Sequence, residues 1–492
     1  MAKIKRGWAV AGVAPMALLL SGCLGGGPIP SASTPITTSE AQQGAEYHPQ
    51  LLAQFGGAMT GSQASYVESV GKNIAVQSGL GNARESFTVS LLNSSVNNAF
   101  AVPGGYIYTT RQLVTLMNNE AELAGVLGHE VGHVAARHSQ RRQQTAQRNS
   151  IFGAAGAILS GILLGDSTLG STLSRGFLQG SQLLTLSFSR SQEIEADDLG
   201  IQYLTRAGYD PQAMATVLAS LATQNSLDAQ LQGRGNASVP EWASTHPDPA
   251  SRVQRAASAA QGLPGTVTNR DTFLSRISGL IYGDDPEQGV IEGSRFIHPE
   301  LRLSFTAPQG FYMVNSTTAV SINGQSGQAQ LTLAPYNGDL SSYVRQQFTA
   351  LGGQNNNLAP QTLERTTVNG LSAVYGQARV NNGNSQVDVT VFAYEFANDR
   401  AYHFAAITPA GQSGTFNSMF QAMRRISANE AAQVIPRRLE VVTVQRGDTI
   451  SGLARRMAYD TAQEQRFRVL NGLGSNATLQ AGQKVKLVVR SR

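Results

Sequence analysis

His129-Glu130-Val131-Gly132-His133 sets two imidazoles four residues apart with a carboxylate between them. On a helix, residues i and i+4 share a face, with Cβ atoms about 5–6 Å apart. Both rings can therefore bind one Zn2+, at about 2.0–2.1 Å from each ring nitrogen. Glu130 falls where it can act as general base on a water beside that ion, the logic of the H-E-x-x-H pattern. A catalytic zinc takes a third protein ligand and keeps one position open. Glu193 supplies that ligand in Ser189-Arg190-Ser191-Gln192-Glu193-Ile194-Glu195-Ala196-Asp197. Asp197, four residues on, shares its face and is placed to accept a proton from the far nitrogen of a ligand histidine. Glu195 faces away and reads as a solvated helix charge. His138, nine residues after His129, lies about 180° around a straight helix and is not a ligand. His246, in Thr245-His246-Pro247-Asp248-Pro249, sits in a Pro-rich loop before a helix from near Ala250. It has two candidate catalytic roles: a latch that fills the open zinc position, or a donor that stabilises the oxyanion.

These residues need rigid elements. Leu123, Val126, Leu127 and Val134 form one apolar stripe, predicting a core helix from about Glu120 to His138. A second helix is expected over Gln192 to Arg206. Phe87 to Leu92 and Asn98 to Val102 read as strands, with Pro103-Gly104-Gly105 as a turn into Tyr106 to Thr109. An edge strand carrying Asn98, Ala99, Phe100 and Ala101 would bind an extended substrate by strand addition. Ile151 to Leu164 is apolar and too short to span a bilayer unaided; a buried helix, a membrane-touching hairpin and a mobile lid are open, with a lid or packed hairpin over the site the expectation.

The two motifs together resemble the gluzincin zinc metallopeptidases, in the group of the CAAX prenyl proteases, mitochondrial Oma1 and the bacterial beta-barrel assembly-enhancing protease. Asn98-Ala99-Phe100-Ala101-Val102-Pro103-Gly104-Gly105 and Thr245-His246-Pro247 are similar to two further motifs of that group. The resemblance covers roughly residues 47–265. It implies peptide-bond hydrolysis with one Zn2+, and misfolded or stalled envelope polypeptides as substrates. It extends the partners to outer-membrane assembly machinery.

The ends of the chain suggest an address. Lys3, Lys5 and Arg6 precede a 13-residue apolar run, Trp8 to Leu20, of signal-peptide length. Leu20-Ser21-Gly22-Cys23 resembles a lipobox, so Cys23, the single cysteine of the chain, is the expected lipidation site. By resemblance to bacterial lipoproteins, Leu24 after it favours the periplasmic face of the bacterial outer membrane. Removing residues 1–22 leaves 34 basic against 32 acidic side chains, a formal +2. That balance gives no reason to expect nucleic acid as a partner.

The expected fold is α+β and multidomain. Residues 1–22 are a signal peptide, 23–46 a flexible tether and 47–265 a mostly helical peptidase core with a small sheet. A linker, 266–290, leads to an α+β domain, 291–428, with no catalytic constellation. His298 and His403 there read as structural. A second linker, 429–439, precedes a βααβ module at 440–490. Arg446-Gly447-Asp448-Thr449-Ile450 and Asn471-Gly472-Leu473 make it similar to the lysin motif (LysM), which implies peptidoglycan as a partner. Loss of Leu439–Arg492 is expected to weaken wall binding and spare cleavage. The combined expectation is a lipid-anchored zinc metalloendopeptidase that grips the cell wall. The alternatives are a peptidoglycan hydrolase and a non-catalytic envelope assembly factor.

Overall fold

A computed structural model describes residues 34–142, 188–231, 246, 248–352, 358–382 and 385–492. Cys23, most of the expected tether and Ile151–Leu164 lie outside these residues. The described chain forms two compact units: residues 284–435, and a larger unit made of the rest. The architecture is mixed α+β, as expected.

The larger unit begins with helices α1 (Thr38–Gln54) and α2 (Ser62–Ala75). Strands β1 (Thr88–Leu92), β2 (Ala99–Val102) and β3 (Tyr106–Thr110) follow in the order β1-β3-β2. β2 and β3 form the expected hairpin, and β1 pairs with β3 in parallel. The outermost position of β2 leaves one backbone edge free of a strand partner among the described residues.

After α3 (Arg111–Leu116), helix α4 runs from Glu120 to Ala135. Asn119 caps it, its side chain accepting from the Glu122 N–H at 2.9 Å. Leu123, Ala124, Leu127 and Val131 enter the core against Val70 and Ile74 of α2. The helix stops three residues short of the sequence expectation. Arg137 adopts a left-handed backbone, φ 52°, which turns the chain off the helix axis.

Helix α5 (Arg190–Arg206) packs lengthwise on α4. Glycine sets their separation. A Cβ on Gly132 would lie 3.0 Å from the Ala196 carbonyl, and one on Gly200 would lie 2.5 Å from Met214 Cε and 3.1 Å from the His129 nitrogen. Helices α6 (Ala213–Leu231) and α7 (Pro249–Ala259) complete the site.

The stretch expected as a linker is structured. It holds α8 (Arg270–Ile277) and β4 (Ile281–Tyr282). β4 pairs with β16 (Arg437–Thr443), which also pairs with β17 (Lys484–Arg490). Between β16 and β17 come α12 (Ile450–Ala454) and α13 (Gln463–Leu470), the expected βααβ order. Leu453, Phe467, Val485 and Leu487 belong to the same apolar core as α4. Lys486, fully buried, donates to the carbonyls of Thr115 at 2.8 Å and Met117 at 2.6 Å.

The 284–435 unit is built on a seven-stranded antiparallel sheet. From one edge its strands are β11 (Leu363–Val368), β12 (Leu371–Asn382), β13 (Ser385–Ala397), β14 (Arg400–Pro409), β10 (Gly327–Leu333), β9 (Val320–Gly324) and β8 (Tyr312–Asn315). Val389, Val391 and Ala393 point to one face, beneath α9 (Leu340–Gly352), and Phe392 and Tyr394 to the other. This is the period-2 alternation of a sheet covered on both sides.

Candidate metal centre

Helix α4 presents His129 and His133 on one face, and α5 brings Glu193 and Asp197 to meet them. The imidazole Nε2 atoms of His129 and His133 lie 3.0 Å apart. Glu193 sits 3.3 Å from His133 Nε2 and 3.6 Å from His129 Nε2. His246 closes the group, its Nδ1 3.1 Å from Glu193 Oε1 and 3.2 Å from His129 Nε2. One ligand atom from each of His129, His133, Glu193 and His246 lies within 4.8 Å of the others. All four side chains are buried. His246 thus stands at the fourth corner of the donor set. Glu130 is beside it, Oε1 3.4 Å from His246 Nε2.

The arrangement fits a divalent cation. Asp197 Oδ1 lies 2.9 Å from His129 Nδ1 and accepts a hydrogen bond from its N–H, leaving a lone pair on Nε2. That lone pair faces the Nε2 of His133 across 3.0 Å, a contact that a shared cation makes favourable. Glu130, Glu193 and Asp197, when ionised, face Arg252, a net −2 that one divalent ion neutralises. Glu130 Oε1 has no well-formed hydrogen bond among the described residues. Burial raises the Glu130 carboxyl above its usual range, against the pull of His246 and His129. Burial also pushes Glu193 up, but His246, His133 and His129 outweigh it and hold the carboxyl well below the ordinary range. Burial keeps His133 neutral, the form that binds a metal.

Four neighbours were not read from the sequence as site residues. Arg252, on α7, donates from Nε and Nη2 to Asp197 at 2.8 and 2.5 Å, and from Nη1 to Glu193. Its signal was the carboxylate pair itself, since buried anions need a cation. Phe188 stacks on His133, ring centroids 3.9 Å apart. Buried His138 and partly exposed Glu195 form a chain behind His133. Of the strand residues, Asn98 and Ala99 are buried, Asn98 with its backbone committed to Thr110. Phe100 and Ala101 are half-buried, and Ala101 and Pro103 line a pocket shared with His133.

Two histidines and a glutamate from facing helices, with a general-base carboxylate alongside, define a zinc-metallopeptidase type of centre. Comparison with known families agrees. Residues 61–260 match Peptidase family M48, whose members are zinc-dependent, and residues 442–488 match the LysM domain. The chain therefore carries an M48 peptidase domain and a LysM domain. It is 34% identical over 220 residues to the beta-barrel assembly-enhancing protease of Escherichia coli O157:H7, covering 44% of this chain and 43% of that one. It is 34% identical over 174 residues to the mitochondrial metalloendopeptidase OMA1 of Arabidopsis thaliana, covering 35% and 32%. Metalloprotease LoiP of Escherichia coli K12 is 35% identical over 127 residues, covering 25% and 47%. The chain spans less than half the length of each of these relatives.

Proposed function

We propose that the chain is a zinc metalloendopeptidase of the bacterial envelope. In this reading it is lipid-anchored through Cys23 to the periplasmic face of the outer membrane and tethered to peptidoglycan by its LysM domain. Its substrates are misfolded or stalled envelope polypeptides. The observation that carries the reading is the convergence of His129, His133, Glu193 and His246 within 4.8 Å, with Glu130 beside them. The LysM match and the names of the relatives support the address. No helix among the described residues is long and apolar enough to cross a membrane, so an anchor at Cys23 would supply the attachment.

His129, His133 and Glu193 would hold the ion, which supplies Lewis-acid polarisation of the scissile carbonyl and an acidified water. Glu130 takes a proton from the attacking water at Oε1 and passes it to the leaving amine. The free edge of β2, through Phe100 and Ala101, aligns an extended substrate by backbone hydrogen bonds, leaving sequence selectivity loose. Asp197 orients His129. His246, at the fourth corner, acts as a latch: its imidazole occupies the place that water and substrate need, and moves out when substrate arrives.

The test offers the zinc-loaded full chain both an unfolded polypeptide and isolated sacculi. Cleavage of the polypeptide is expected, with Glu130→Gln retaining zinc and losing about 10²–10⁴ of the rate. Solubilised sacculi with an untouched polypeptide would replace this reading with a peptidoglycan hydrolase. Neither being cut would replace it with an assembly factor. His246→Ala is expected to raise the rate with zinc still bound. A loss of about 10²-fold or more would assign His246 to the oxyanion instead.

A further inference from the structure

Each imidazole that meets the ion through Nε2 must carry its proton on Nδ1, and something must accept that proton. For His129 the acceptor is Asp197. For His133 it is another histidine: His133 Nδ1 and His138 Nδ1 lie 2.8 Å apart, both rings buried. Two facing Nδ1 atoms form a hydrogen bond only if one bears the proton and the other a lone pair. His133 presents Nε2 to Glu193 and His129, so its proton belongs on Nδ1, and His138 Nδ1 accepts. The proton of neutral His138 is then on Nε2, which lies 3.1 Å from Glu195 Oε2, an acceptor. Glu195 also receives Arg141 Nη1 at 2.9 and 3.2 Å. The assignments close along the chain His133–His138–Glu195–Arg141 with no donor facing a donor.

The backbone is shaped for this contact. On a continued helix, His138 would lie five residues along from His133 and point elsewhere. The left-handed turn at Arg137 folds His138 back onto His133. A non-glycine residue in that conformation is strained. The buried Arg137 guanidinium offsets the strain through bonds to Glu40, Thr34 O, Pro35 O and Ala135 O. One helix, α5, therefore orients both imidazoles, His129 directly through Asp197 and His133 through Glu195 by way of His138.

We propose that His138 is a positioning residue of the metal centre, fixing His133 in its Nδ1-protonated tautomer with Glu195 and Arg141 behind it. The proposal rests on the zinc reading above and separates from it in the test. Zinc affinity of the full chain is measured by chelator competition, and Co2+-loaded protein supplies a spectrum of the ligand field. His138→Leu fills the space without an acceptor and is expected to weaken zinc binding about 10–100-fold and to alter the Co2+ spectrum. His138→Gln keeps an acceptor for His133 and a donor for Glu195, and is expected to restore most of the affinity and the spectrum. A packing role would favour Leu over Gln, and that order overturns the proposal, as does wild-type affinity in His138→Leu. Equal weakening by both variants also overturns it. A wild-type chain that binds no zinc would overturn the zinc reading itself, and the proposal with it.

Discussion

Arg252 shows how much of this centre lies beyond its ligands. The guanidinium is buried against Asp197 and Glu193, two carboxylates that the metal alone would leave crowded. Both are held below the usual carboxylate range: burial pushes Asp197 up, but the hydrogen bonds from His129 and Arg252 win. Removing one partner from such a group strands charge in the interior, at a cost of about 3–5 kcal/mol. Arg252→Met should lower unfolding free energy by roughly that amount, measured by denaturant titration with chelator present. Arg252→Lys should recover little, because an ammonium cannot reproduce the two-nitrogen grip on Asp197. Full stability in Arg252→Met would show that the carboxylates find other compensation. His129, Glu130 and His133 were legible because their geometry is local, fixed by helical spacing alone. Glu193 and Asp197 were legible for the same reason once a partner helix was assumed. Arg252 was not, because nothing in its own helix marks which of its two arginines is buried. The pairing of His138 with His133 was not legible, because a straight helix was extrapolated past Arg137, where the chain turns.

At the level of elements, the sheet unit carries a pH dependence separate from the metal site. His298 on β6 (Arg295–His298) and His403 on β14 are buried, and burial lowers each imidazole to about 3. His403 Nδ1 is paired with the Tyr343 hydroxyl of α9 at 2.8 Å. An unfolded histidine titrates near 6.5. Above that value both states are neutral and nothing changes. Between about 6.5 and 3 the unfolded chain binds protons that the folded unit refuses. Stability is therefore lost as pH falls through that window, by something on the order of 5 kcal/mol per histidine at the low end. Acid unfolding of this unit, followed by hydrogen exchange in β13 and β14, should begin below pH 6. His298→Leu should move its midpoint to lower pH, and an unchanged midpoint would remove His298 from the account. The sequence pattern revealed these strands through alternation, as in Val387 to Phe392. It could not reveal that α4 and α5 approach closely through Gly132 and Gly200, because the clash each glycine avoids involves a residue distant in sequence.

Across the whole catalytic unit, the main departure from the sequence reading is the LysM domain. The boundary strand and helices were recognisable, and the module was expected to be removable. Instead β4 extends its sheet, and its inner residues share the core of the zinc helix. Lys486 reaches across to cap the carbonyls of Thr115 and Met117, just before α4. Burial lowers its ammonium to about 7, with Glu122 of α4 pulling the other way. Such contacts are invisible in sequence, where Lys486 sits 364 residues from Glu122. The loops at 445–449 and 474–483 stay largely exposed, so the side turned to solvent is free to meet a glycan. Deleting residues 436–492 should therefore unfold or inactivate the peptidase rather than spare it. Lys486→Met tests the coupling without removing the module. It strands two buried carbonyls, a loss of about 1–3 kcal/mol. Hydrogen exchange on the full chain should then show amides of β17 and of the first turns of α4 losing protection together. If β17 alone loosens while α4 keeps its wild-type protection, the LysM domain is an appendage after all. A deletion that leaves cleavage of unfolded polypeptide intact would lead to the same conclusion.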